Sequence, residues 1–128
     1  ALQYPVGNLT HTPHGDGVGV LLPYVMQFNR SACADDLAEL AGVVGLGEAN
    51  MGPAERSQLF IDAVAQLFGS IGVPTTLADL GLAQGHEEDI AVGALKAERL
   101  VKNNPRALDL EAMLAIARAA FTGNRAAL

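Results

Sequence analysis

Of the three histidines, His11 and His14 lie together in Thr10-His11-Thr12-Pro13-His14-Gly15. Two imidazoles three apart on a helix would share a face and could hold a metal between them. Pro13 argues for a turn instead, because it has no N–H for a helical ladder and pushes Thr12 towards extended geometry. By spacing alone the two rings read as solvated or hydrogen-bonded turn residues, and no carboxylate–histidine cluster accompanies them. His86-Glu87-Glu88-Asp89 has the residue types of a metal patch, yet acids gather at helix starts for the dipole, which is the preferred reading. Gly15-Asp16-Gly17-Val18-Gly19 invites phosphate binding, but it lacks a preceding strand and the G-x-G-x-x-G spacing. Its glycines are expected to admit another side chain or backbone at close range. No Ser–His–Asp or Cys–His order suggests nucleophilic catalysis.

Composition narrows the elements that could position these residues. Half of the 128 residues are apolar, only 5% are aromatic and none is Trp. The core must therefore come from Leu, Val, Ile and Ala, of which Leu and Ala are strong helix formers. A net charge of −6 with eight scattered Lys and Arg leaves no basic surface to displace counterions from phosphates, so no nucleic-acid partner is expected. The single cysteine, Cys33, allows neither a disulfide framework nor a zinc set; it reads as a small buried or half-buried residue near a helix start. No apolar run approaches the ~18 residues of a membrane span and no signal peptide is read, so a cytoplasmic setting is expected. The chain starts with Ala1 in mid-pattern, as if cut.

Residues 1–9 carry a helix end, with Pro5 acceptable only in the first turn of a new one. A helix from Gly15 has Val20, Leu21, Tyr24, Val25 and Phe28 on one face. Pro23 should kink it, and Asn29-Arg30-Ser31 should end it. Ser31 would cap a second helix with Leu37, Leu40, Ala41 and Val44 inward, stopped at Gly45-Leu46-Gly47, with a loop over Glu48 to Gly52. Pro53 should begin a third, whose broad stripe (Leu59, Phe60, Ala63, Val64, Leu67, Phe68, Ile71) is expected to be central to the core. A short turn over Thr76 to Leu80, a helix from Glu87 to Val101 and a last helix capped by Asp109 follow. That last helix should turn Leu110, Met113, Leu114, Ala117 and Phe121 inward, and no strand pattern appears. Periodicity and spacing alone give an all-α helical bundle with no assigned activity.

One family joins these pieces. Tyr4-Pro5-Val6-Gly7, Pro13-His14-Gly15 and Leu21-Leu22-Pro23-Tyr24-Val25-Met26-Gln27-Phe28-Asn29 resemble, with matching spacing, the His-Pro-Leu-Gly, Pro-His-Gly and Leu-Leu-Pro-His-Val-x-x-Phe-Asn segments of the iron-containing (group III, metal-dependent) alcohol dehydrogenases. Ile71-Gly72-Val73-Pro74-Thr75, Leu80-Gly81 and Asn104-Pro105-Arg106 look similar too. The likeness covers nearly all of the chain but only the C-terminal third or so of a family member.

The resemblance implies the all-helical C-terminal domain of a dehydroquinate synthase-like fold. Residues 1–128 would be a single metal-binding domain, a fragment lacking the N-terminal nucleotide-binding domain that is its partner. His14 matches the last of four metal ligands, with the preceding one falling just before Ala1, and a cleft should open beside it. Tyr4 stands where many members have a second, non-ligand histidine. A phenol of pKa near 10 does not titrate near neutrality as imidazole does, so Tyr4 is assigned to substrate binding and no catalytic or cofactor-binding residue is named. The full-length enzyme would use Fe2+ or Zn2+ and NAD(P) to interconvert an alcohol and its aldehyde or ketone, as a homo-oligomer. This fragment alone would bind neither group tightly. The other reading is a stand-alone helical protein-interaction module without catalysis.

Overall fold

The computed structural model describes residues 1–48 and 50–128. They form six α-helices: α1 (Gln3–Thr10), α2 (His14–Val43), α3 (Pro53–Ser70), α4 (Glu87–Leu95), α5 (Glu98–Lys102) and α6 (Leu110–Thr122), closed by a short 3-10 turn, Arg125–Ala127. No strand occurs among the described residues, and the all-α expectation holds. Part of the loop expected over Glu48 to Gly52 lies outside them, at Ala49.

Pro5 sits in the first turn of α1, where its missing N–H costs nothing, and His11 ends the helix in the left-handed region (φ 55°), its N–H bonded to the Gly7 carbonyl. Pro13, extended at ψ 142°, then precedes α2. The two helices expected over residues 15–29 and 31–44 are present as two helical runs of α2 that meet at a kink, but the break falls at Cys33 rather than at Asn29-Arg30-Ser31, and no Ser31 cap bond is seen among the described residues. Helical geometry is lost inside α2 only at Cys33 (φ −140°, ψ 33°), ten residues beyond the kink expected at Pro23. Two carbonyls one turn earlier accept side-chain hydrogen bonds. The Phe28 carbonyl accepts from Arg106 Nη1 at 2.9 Å, and the Asn29 carbonyl accepts from Cys33 Sγ at 3.2 Å. Side chains that intrude on the backbone ladder are a standard source of such bends.

The main core joins Val6 of α1, Val20, Leu21, Tyr24 and Phe28 of α2, Leu77, Leu80 and Leu82 of the connecting turn, Ile90 and Ala94 of α4, and Met113, Ile116 and Ala117 of α6. The α3 stripe does not belong to it, which overturns the expectation that α3 is central. Only Ser57 and Ile61 of α3 are buried, while Leu67 (57%) and Ile71 (66%) are exposed. The reason is geometric. Helix α3 packs on α2 and on no other helix, so a stripe wider than one contact face stays partly open. The helix expected from Glu87 to Val101 breaks at Ala97 (φ −84°, ψ 58°) into α4 and α5. In α6, Asp109 caps as expected, its carboxylate accepting from Ala112 N–H at 2.8 Å. Met113 and Ala117 are buried, but so are Ile116, Ala119 and Ala120, while Leu110 is exposed.

Buried Tyr24 donates its hydroxyl to the Thr75 carbonyl at 2.7 Å and so ties α2 to the segment before the core turn. Burial is the main cause that raises the Tyr24 pKa; Arg125 opposes it and Asp79 adds to it. The native state therefore holds this proton more tightly than the unfolded chain does. Stability should be full below about pH 10 and fall as pH rises through the folded-state pKa. Tyr24→Phe should cost about 1 kcal/mol in chemical denaturation at neutral pH and flatten the alkaline decline. An equally steep decline in the variant would assign it to other groups.

Candidate metal site

Two short-range contacts build the site. At the first residue of α2, His14 is exposed, and its ring centroid lies 6.1 Å from that of Tyr4, tilted by 39°. Tyr4 is 56% exposed. Neither His14 nitrogen has a hydrogen-bond partner among the described residues, so both are free to bind a metal. His11 is also exposed but ends α1 rather than sharing a helical face with His14, as the Pro13 argument requires.

What holds the rings together is beneath them. Gln3, next to Tyr4, is only 6% exposed, and its amide lies against α2 at Gly17, one turn beyond His14. A Cβ on Gly17 would overlap Gln3 Oε1, and one on Gly7 would come within 3.0 Å of Gln3 Nε2. Gly19 likewise gives room to Val73, whose Cγ1 would be 2.9 Å from an added Cβ. The close approach expected of the glycine run is seen at Gly17 and Gly19, whereas Gly15 faces open space. Gln3 Oε1 has no hydrogen-bond partner among the described residues, although a buried unpaired polar atom costs about 1–3 kcal/mol.

The cleft expected beside His14 is not one of five well-formed cavities of the described residues, none of which His14 lines. An apolar cleft of about 200 Å³ opens nearby instead, between Leu2, Gln3, Val18, Leu21, Leu100 and Met113. Tyr4 borders a separate shallow depression with residues 96–100. No group of three or more His, Cys, Asp or Glu that could hold a metal occurs among the described residues. His86 meets only Asp89, at 3.4 Å in the first turn of α4, in keeping with a helix start. Among the described residues the donor set at this corner is thus a single imidazole, His14, which by its chemistry could supply one ligand to a metal.

A polar latch escaped sequence reasoning. Asn29 and Asn104 exchange amide hydrogen bonds of 2.8 and 2.7 Å, and the Asn104 amide also donates to the Arg106 carbonyl. The Arg106 guanidinium stacks 4.0 Å above the Phe28 ring. It pins the loop between α5 and α6 to the middle of α2. The Asn-Pro-Arg motif was visible, but its partner, 75 residues away, was not.

Comparison with known proteins bears on this arrangement. Residues 1–121 match the family described as Fe-containing alcohol dehydrogenase family, C-terminal. Long-chain-alcohol dehydrogenase 1 of Geobacillus thermodenitrificans (strain NG80-2) is 31% identical over 96% of this chain and 31% of its own length. The 1,3-propanediol dehydrogenase of Citrobacter freundii is 32% identical over 94% of this chain and 31% of its own. A crystal structure of 1,3-propanediol oxidoreductase superposes with a TM-score of 0.87 at 31% identity, covering 94% of this chain and 31% of that one. The chain spans about a third of the length of these relatives.

If Gln3 against Gly17 sets the angle between α1 and α2, Gly17→Ala should destabilise the domain by about 1–3 kcal/mol through overpacking. Pairing it with Gln3→Ala should recover part of the loss. Urea denaturation of the two single variants and the double variant measures this, and strictly additive losses would show that the two positions do not meet.

Proposed function

The chain belongs to the iron-containing alcohol dehydrogenase family, as its C-terminal domain, and from that premise we propose that the protein it forms part of interconverts an alcohol and its aldehyde or ketone by hydride transfer with NAD(P). Residues 1–128 act in it as one helical metal-binding domain, partnered by an N-terminal nucleotide-binding domain and working as a homo-oligomer. The observation that carries this reading is His14: an exposed imidazole with both nitrogens unpaired, at the family motif's Pro-His-Gly position and beside Tyr4.

His14 supplies one nitrogen ligand to a divalent iron or zinc ion. When bound, that ion gives Lewis-acid polarisation of the alcohol oxygen, the nicotinamide being the hydride acceptor. The chain's own contribution is placement. Pro13 and the first turn of α2 fix the imidazole, and Gln3 in its glycine-lined slot holds α1 so that Tyr4 stays beside it. Tyr4 binds the substrate, its phenol offering a hydrogen-bond donor and an aromatic face. The isolated chain is expected to bind neither metal nor cofactor tightly. No observation favours a helical interaction module without catalysis.

In the full-length protein, His14→Ala should lower metal affinity by at least about 100-fold, since replacing a ligand exceeds the effect of disturbing its supporting hydrogen bonds. Alcohol-dependent NAD(P)H formation should fall with it. Far-UV circular dichroism and the metal-free melting temperature should be unchanged, because the side chain is exposed. Full metal content together with normal turnover in this variant would refute the assignment.

A further inference from the structure

Tyr4, placed at the substrate above, also borders a second neighbourhood. Its ring lines a shallow depression with Lys96, Ala97, Glu98, Arg99 and Leu100. Close helix packing brings them together: Gly93 of α4 lies so near Pro5 of α1 that an added Cβ would be 3.1 Å from Pro5 Cβ. Residue 4 therefore meets the junction where α4 ends and α5 begins. The break at Ala97, which the sequence pattern did not foresee, lets residues 96 to 100 wrap this depression instead of continuing a straight helix.

The charges there are unusual for this molecule. The chain has eight Lys and Arg against fourteen Asp and Glu, yet two of those eight line one depression. Glu98 pairs with Lys102 at 3.8 Å. Lys96 and Arg99 have no ion-pair or side-chain hydrogen-bond partner among the described residues. Lys96 suits the C-terminus of α4, where a cation complements the helix dipole, but that does not account for Arg99 beside it. Lys96 and Arg99 share this depression with Glu98 and with Tyr4, whose ring centroid is 6.1 Å from that of His14, and a guanidinium can grip a carboxylate by two parallel hydrogen bonds.

We infer that the depression formed by Tyr4, Lys96 and Arg99 is a subsite for a carboxylate at the far end of the alcohol substrate. The inference rests on the function proposed above, which puts the hydroxyl end at His14. It makes hydroxy-carboxylates, or the corresponding aldehyde acids, preferred over neutral alcohols of equal length. The two cations are specificity-determining groups and take no part in hydride or proton transfer.

The test uses the metal-loaded full-length protein with 4-hydroxybutyrate and 1,4-butanediol as matched probes. The unmodified enzyme should favour the carboxylate through KM, and added sodium chloride should weaken the preference. The double variant Lys96→Gln/Arg99→Gln should lower the ratio of kcat/KM values, carboxylate over diol, by about tenfold. The charge-conserving Lys96→Arg/Arg99→Lys should largely keep it, separating charge from any loss of folding. Calorimetric binding of 4-hydroxybutyrate is read alongside turnover. If neither probe is oxidised but binding is saturable and weakened in the Gln variant, the subsite stands and the dehydrogenase reading fails. Turnover of both probes with no carboxylate preference, an unchanged ratio in the Gln variant, or no binding of 4-hydroxybutyrate overturns the subsite. A variant that raises KM for NADP alone also overturns it, by assigning the cations to the cofactor.

Discussion

Gln3 lying in the space left by Gly17 and Gly7 fixes how α1 meets α2, and the site depends on that contact. Tyr4 follows Gln3 in sequence and His14 precedes Gly17 by one helical turn, so whatever sets the distance between the two backbones sets the distance between the two rings. A methyl group on Gly17 would drive the helices apart; its absence lets a long amide fill the gap instead. The buried amide oxygen remains without a partner, so the contact is one of shape rather than of hydrogen bonding.

The rest of the domain supports that corner from behind. Helix α2 runs through the whole molecule, with its N-terminus bearing His14, its middle in the main core and its C-terminal half packed on α3. Tyr24 fastens it to Thr75 and the Asn29–Asn104 pair fastens it to the loop before α6. These bonds lie on the same stretch of α2 as its buried apolar face, so they add direction to a contact that apolar burial alone would leave free to slide. The bend at Cys33 lies just beyond the same latch, in which Arg106 donates to the Phe28 carbonyl.

Helix α3 shows why a strong pattern is not a strong prediction of burial. Its stripe was legible and the helix forms where expected, with Pro53 first and Gly72 just beyond its end. Burial, however, depends on how many neighbours a helix has, and periodicity does not contain that number. With only α2 to cover it, α3 leaves Leu67 and Ile71 in the open. Ala97 is a second case: the residues from Glu87 to Val101 read as one helix, and the chain breaks there into α4 and α5.

Local chemistry was fixed by the residues themselves: the class of fold, the turn at Pro13, the capped start of α6, the crowded glycines and the family motif around His14. Each depends on backbone restrictions or on side chains within a few positions of one another, and such interactions are written into neighbouring letters. Tertiary packing alone decided that the two runs of α2 meet at Cys33, that Gln3 is the residue filling the Gly17 gap, that Asn29 meets Asn104, and that Lys96 and Arg99 gather beside Tyr4. Those contacts join positions 14 to 95 residues apart, and only a folded chain, excluding water from one particular set of surfaces, brings them into reach.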